Sequence, residues 1–462
     1  MATTLDFVIL IAYILLILYI GIRASRREHL EGYLANNRRT KLLLLAGSNI
    51  ASAIGAGAIV GVASAAYVTG ISYGLIVLIS NIVGSCFFIW VAPKIKAFGD
   101  KHRAHTTGDM MAYRFGRWSR HAFAVAYVVA AFIWSAVQFV AIAQLLRVLI
   151  GVRFEFALLI AVGVTIFYTS LGGLISDIWT DFIQFWLMLL TFIILVPIAW
   201  AKAGGISALA ALPAASFDPL AFGGWAFLIG GIFLSGLVIV PEVYLWQRIY
   251  SADSMKTARR TYVWSIPGYI IFIGSATLIG LFATQLVPGV EPDTAFFTLM
   301  NLLLPTGFLG LAYAGMLAVV MSTIDSILLA GASTILKDLY MPFFHPKMHE
   351  HELLNMARYI TALFGIIGAL VAYIFQDIVQ LTLLSAFTIG CLSFAVIAGL
   401  FWKRATSKGA IASIICGLAT TYLLFPSMPK IAGIPGFFVG VVVLIVVSLL
   451  TKHAKEENPV VV

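Results

Sequence analysis

Between Leu311 and Ala330 the chain is apolar enough to span a bilayer, yet its middle reads Met321-Ser322-Thr323-Ile324-Asp325-Ser326. Ser322 and Ser326 are four residues apart and Asp325 is three from Ser322, so all three share one helical face. A carboxylate at the middle of a spanning helix costs about 2.5–3.5 kcal/mol on insertion scales, a cost met where the group has a function. Hydroxyl, carboxylate and carbonyl oxygens are the ligands of a hard cation such as sodium. The spacing points to a chain that moves a solute together with a cation.

Composition places that cluster in a membrane. Of the 462 residues 61% are hydrophobic and 11% charged, with a mean hydropathy of +1.01; a soluble domain carries about 25% charged residues. Hydropathy predicts thirteen spans near 5–22, 42–68, 73–95, 121–149, 154–171, 174–201, 223–247, 258–287, 307–336, 354–375, 377–402, 409–425 and 433–451. The turns at Leu171-Gly172-Gly173 and Gln376-Asp377 are tight, so each reads as a hairpin. The three cysteines, Cys86, Cys391 and Cys416, lie in apolar runs at unrelated spacings and read as small core residues. The first apolar run lacks a basic segment before it and a small-residue cleavage site after it, so it reads as an uncleaved helix.

All but Arg147, Arg153, Lys202 and Lys430 of the 29 lysines and arginines fall on one side of a thirteen-span layout. The positive-inside rule then puts the N-terminus outside and the C-terminus, with a short tail at 453–462, in the cytoplasm of an inner or plasma membrane. Arg248, just after the seventh span, is counted in that tally. The net charge of +9 is therefore a topology signal that favours anionic lipid, and nucleic acid is excluded as a partner. No phosphate-cradling Gly-Lys-Ser/Thr motif is present, and Gly55-x-Gly57 follows no strand, so neither ATP-driven transport nor a dinucleotide fold is expected. His345 and His349-Glu350-His351-Glu352 read as a solvated loop, and no nucleophile lies near a base, so the chain is not expected to be an enzyme.

Two spans carry helix breakers at corresponding places. The second contains Gly47-Ser48-Asn49-Ile50-Ala51-Ser52-Ala53-Ile54-Gly55-Ala56-Gly57; the seventh contains Gly223-Gly224, Gly230-Gly231, Ser235-Gly236 and Pro241-Glu242. Any one glycine can simply let helices pack closely. Paired interruptions five spans apart are the sign of two inverted five-helix repeats, spans 2–6 (42–201) and 7–11 (223–402). Freed carbonyls in such breaks can bind ions.

Across about residues 5–455 the chain resembles the sodium/solute symporter family, which includes bacterial proline permeases and sodium/sugar cotransporters. The resemblance rests on Trp179-Thr-Asp-Phe-Ile-Gln184, Gln247-Arg248, Met321-Ser-Thr-Ile-Asp-Ser326 with Lys337-Asp-Leu-Tyr340, and Gly399-Leu-Phe-Trp-Lys-Arg-Ala-Thr-Ser-Lys-Gly409. It implies an all-α integral membrane protein with a LeuT-type inverted-repeat core, one leading helix and two trailing ones. It also implies a sodium ion between the second and ninth spans, held by the carbonyls of Gly47, Ile50 and Val319 and the side chains of Ser322 and Thr323. The competing reading is that both hydroxyls bond back to carbonyls one turn earlier. Some family members hold a second sodium with the aspartate matching Asp181; its partners here would be Ser322, Asp325 and Ser326. A structural Asp181 or a proton-coupled site are the alternatives, and Asp177, one turn nearer the cytoplasm, reads as solvated.

The solute site belongs at mid-membrane against the first break. Its candidate lining is Asn49, Ser52, Ile54, Tyr73, Ser235, Val238, Gln380, Thr382 and Ser385, with Trp134 and Phe139 read as core. Val238 and Ile54 cannot replace the water stripped from sugar hydroxyls, which favours a small amino acid, a monocarboxylate or a similar solute. Sodium-driven symport is the expected function; a proton-coupled or uncoupled carrier is the first alternative. A membrane sensor is the second, and the short tail leaves it no output domain. Solute identity, ion stoichiometry and oligomeric state stay open.

Overall fold

A computed structural model describes residues 3–25, 30–170, 172–232, 236–344, 349–453 and 458. Arg26, Arg27, Leu171, Ser235, His345, Lys347, Lys455 and most of the 453–462 tail lie outside the described residues. Regular structure among the described residues is helical, apart from one isolated bridge between Thr40 and Ala252.

Helix α1 is Thr4–Ser25. Helices α2, Leu42–Ala53, and α3, Gly57–Thr69, are halves of one path bent by 58°. They are followed by α4 (Ser72–His102), α5 (Thr107–Phe115), α6 (Arg117–Ile150), α7 (Phe154–Thr169) and α8 (Leu174–Ala203). Next come α9 (Gly224–Gly230), α10 (Val243–Ser251), α11 (Met255–Leu286), α12 (Pro292–Leu303) and α13 (Phe308–Thr334). The last four are α14 (Glu350–Ile374), α15 (Ile378–Phe401), α16 (Ser407–Leu424) and α17 (Gly433–Leu450).

Ten helices among the described residues are long and apolar enough to cross a membrane, and the bent α2–α3 pair makes an eleventh. Of the two other expected spans, α7 is a shorter apolar helix and the seventh is in pieces, α9 and α10 with Gly236–Val238 between them. Nearly every residue of α13 is buried, because it is the axis on which α1, α2, α6, α8 and α14 pack. Large apolar side chains face outward instead of inward on the periphery, with Leu159, Leu423 and Leu450 between 68% and 80% exposed; only lipid makes such a surface stable.

Local chemistry sets the turns. Asp377 accepts a hydrogen bond from Gln380 N (2.8 Å) and so starts α15 three residues after α14 ends at Ile374, which resolves the tight Gln376-Asp377 connection. Arg114 is buried and donates to the carbonyls of Trp402, Lys403 and Ala405, closing the end of α15. His349 and Glu352, expected in a loop, form the first turn of α14, where the Glu352 carboxylate accepts from His349 N at 2.9 Å.

The segment before α2 is tied to both halves of the chain. Thr40 N donates to Ser251 O and Asp253 N to Thr40 O. Glu31 pairs with His105 Nε2 (2.6 Å) and Arg38 Nε (2.8 Å). The hydrogen bond to His105 leads the effects that hold the Glu31 carboxyl down at about 2, below its ordinary 4.5; the charges of His105 and Arg38 act the same way, and partial burial opposes them. A depressed acid stabilises the fold above its unfolded value and loses that contribution as pH falls toward the folded one. Wild type is therefore expected to lose more stability than Glu31→Gln between about pH 4.5 and 2. The excess should stay within about 1 kcal/mol, because the group is partly solvated. Thermal unfolding of both proteins across that range in detergent checks it; parallel curves reject the clamp.

Candidate ion and solute site

The break between α2 and α3 is built by close approach. Ile54 leaves the helix (φ −103°, ψ 69°) while its N–H closes the last turn on Ile50 O. Ala56 N–H finds its acceptor in Gln138 Oε1 of α6, at 2.9 Å. A Cβ on Gly55 would stand 2.6 Å from Thr323 Oγ1, and one on Gly57 2.7 Å from Thr382 Oγ1. Only glycine lets α13 and α15 touch the unwound backbone on its two sides.

Polar oxygens converge on the carbonyl end of α2, where the helix dipole favours a cation. Ser322 Oγ donates to Ala51 O (3.0 Å) and to Val319 O (3.1 Å), and Thr323 Oγ1 donates to Val319 O (3.3 Å). Both hydroxyls thus bond back within α13, and Ser322 also reaches across to α2. The carbonyl it meets is that of Ala51, not that of Gly47 or Ile50. Ile50 O is already engaged by Ile54 N–H, and Gly47 lies where α2 packs on Phe182.

Beside these hydroxyls lies a buried charge network. Arg248 Nη2 lies within hydrogen-bond distance of Asp177 Oδ2 (2.8 Å), Asp181 Oδ2 (2.7 Å), Ser326 Oγ (2.8 Å) and Ser52 Oγ (2.5 Å), which share its two N–H groups, and Nε donates to Ser48 Oγ (3.0 Å). Ser48 and Ser52 donate to the same Asp181 oxygen. Asp177 is 3% exposed, which corrects its reading as a solvated residue. Arg248 is 1% exposed, so it is no surface topology charge: the end of α10 is drawn inward and its guanidinium takes a position between two carboxylates.

The four residues expected around a second sodium are divided by this network. Asp181 and Ser326 share Arg248, whereas Asp325 Oδ1 accepts from Thr169 Oγ1 of α7 at 2.5 Å. Asp181 Oδ1, Asp325 Oδ2 and Gln184 Oε1 are buried without a hydrogen-bond partner.

Against the break lies a cavity of about 140 Å³ lined by residues of α2, α3, α4, α6, α9, α10, α11, α15 and α17 and of the breaks between them. Of the expected lining, Tyr73, Val238 and Thr382 face it. Asn49 turns away to donate to Ser265 (2.9 Å), Ser52 belongs to the Arg248 network, and Ile54 is enclosed. Ser385 points to Ala130 O, and Gln380 lies exposed in the first turn of α15, bonded to Asp377. These five therefore do not line this cavity, and the start of α15 puts Gln380 at the surface. Ser235 lies outside the described residues. Phe139 is core, but Trp134 lines the cavity with its indole N–H unpartnered. Gln138 and Glu242 line it too and were not anticipated. Glu242 carried a usable signal, an ionisable residue inside an apolar run.

The sequence model of the Sodium:solute symporter family matches residues 33–417. A sodium/proline symporter of Haemophilus influenzae is 28% identical, over 96% of this chain and 94% of its own length. The high-affinity proline transporter PutP of Bacillus subtilis is 27% identical, over 92% of this chain and 96% of its own. Among solved structures, a Na+-coupled sialic acid symporter in a substrate-bound outward-open state superposes with a TM-score of 0.82 at 20% identity, covering 98% of this chain and 99% of that one. Mhp1, a nucleobase-cation-symport-1 family transporter, superposes at 0.62 with 14% identity over 92% and 96% of the two chains. With the broken helix, the buried α13 and a family match spanning most of the chain, this protein belongs to the sodium:solute symporter family and has the LeuT-type fold of these transporters.

Proposed function

We propose that this protein is a sodium-coupled secondary active symporter of a small organic solute, working by alternating access. The observation that carries the reading is that Ser322 Oγ bonds Ala51 O at the carbonyl end of α2 while Thr323 packs on Gly55, which lines the cavity. An all-oxygen site with little fixed charge suits weak, reversible sodium binding. The ion's proposed ligands are the carbonyls of Gly47, Ile50 and Val319 and the side chains of Ser322 and Thr323. The solute rests in the cavity beside Tyr73, Val238 and Thr382, and the proline transporters among the relatives favour an amino acid. The architecture behind this is thirteen spans, with repeats at 42–201 and 223–402, an outside N-terminus and a cytoplasmic C-terminus. Basic loops on one side and two broken helices five spans apart support it.

One sodium entering down about 100 mV and a tenfold gradient releases about 2.3 and about 1.4 kcal/mol, enough for roughly 500-fold accumulation of a neutral solute. In proteoliposomes, collapsing the sodium gradient while a proton gradient is kept should abolish accumulation. Persistent uptake under those conditions would establish a proton carrier instead. A second sodium on Asp181, Ser322, Asp325 and Ser326 is the further reading, favoured by the unpartnered Oδ1 of Asp181 and Oδ2 of Asp325. Counting bound sodium per purified protein decides it: one ion rejects it.

A further inference from the structure

Glu242 is a second buried acid, and the charge network does not use it. It stands at the start of α10, 4% exposed, on the wall of the cavity. The phenol of Tyr127 donates to its Oε2 at 3.3 Å, and no other hydrogen bond or ion pair to the carboxylate occurs among the described residues. Arg248, one turn and a half further along α10, is held by Asp177 and Asp181. Among the described residues no lysine, arginine or histidine lines the cavity. The cavity that Glu242 borders is rich in rings, Trp134, Tyr73, Tyr244, Tyr269, Phe387 and Phe437 among them, with Ser80, Asn81, Gln138 and Thr382 as its neutral polar groups.

A carboxylate taken out of water is costly unless a cation or a proton joins it. Electron-rich ring faces lining the same cavity attract an organic cation and do nothing for an anion. We propose that Glu242 is the counter-ion for a positively charged nitrogen on the transported solute, so that the cargo is a small ammonium compound with an apolar body, zwitterionic amino acids included. This rests on the symport reading and narrows it, since a monocarboxylate would meet Glu242 with like charge and a neutral sugar would leave it unpaired. Glu242 acts as a selectivity group, and sodium binds at the hydroxyls on the other side of the break.

Three probes of one shape separate the possibilities: proline, with nitrogen and carboxylate; pyrrolidine, with the nitrogen alone; and cyclopentanecarboxylate, with the carboxylate alone. Thermal stabilisation of the purified full chain is read for each, with and without sodium. With sodium present, proline or pyrrolidine should stabilise wild type saturably and cyclopentanecarboxylate should not. Glu242→Gln should weaken that binding at least tenfold and keep the shift given by sodium alone. Stabilisation by cyclopentanecarboxylate, equal binding to both proteins, or a sodium shift with no response to either nitrogen probe would each overturn the assignment. If Glu242→Gln does not fold, the charge preference of wild type still decides. Absence of any sodium shift in wild type would strike the symport reading itself, which is a separate result.

Discussion

Replacing Arg248 by methionine is expected to cost about 3–5 kcal/mol of stability, because it strands two carboxylates in a site that excludes water. Asp177 and Asp181 both bond the same guanidinium nitrogen and are 3% and 0% exposed. Without the cation they repel one another and have only hydroxyl donors, Ser48, Ser52 and Ser326, to replace it. The loss should reach beyond the pair, since the same nitrogen joins α2, α8, α10 and α13. Thermal unfolding in detergent should show a large fall in midpoint. A triple variant carrying Asp177→Asn and Asp181→Asn as well should recover most of it, because neutral amides remove the repulsion. An Arg248→Met protein that unfolds at the wild-type temperature would show that the ion pairs contribute nothing to the folded state.

Ser322→Ala and Thr323→Ala should each raise the sodium concentration needed for half-maximal uptake by about tenfold, the equivalent of about 1.4 kcal/mol per lost oxygen ligand. The double variant should lose more than either single one, because the two hydroxyls are proposed as separate ligands. Alanine is a better helix former than serine or threonine, so α13 should persist and stability without sodium should hardly change. Apparent solute affinity should fall in step with sodium affinity, since coupling between two bound ligands is reciprocal. A sodium titration of uptake at several solute concentrations measures both. Unchanged sodium dependence in the two variants, at normal expression, would place the ion elsewhere and leave the hydroxyls as the α13 back-bonds they also make.

The linear sequence determined where the apolar segments lie and their order, because a bilayer demands about 20 apolar residues per helical crossing wherever they occur. It also exposed the break at Ile54–Gly57 and the polar run 322–326, because residues hostile to lipid are conspicuous inside a span. Tertiary structure alone decided what those groups meet. Arg248 and Asp177 are 71 positions apart, and near the end of a span an arginine with a buried partner reads the same as one facing the cytoplasm. Gln380 and Thr382 differ by two positions, yet one lies at the surface bonded to the capping Asp377 and the other lines the cavity. That choice depends on where α15 begins and how it is rotated, and packing against α6, α16 and α17 sets both. The partnership of Glu242 with Tyr127 and the ring-lined cavity likewise arises only once the residue before α10 meets α6. Hydropathy records how much each segment prefers lipid; depth, rotation and partner come from side chains that meet only after the helices assemble.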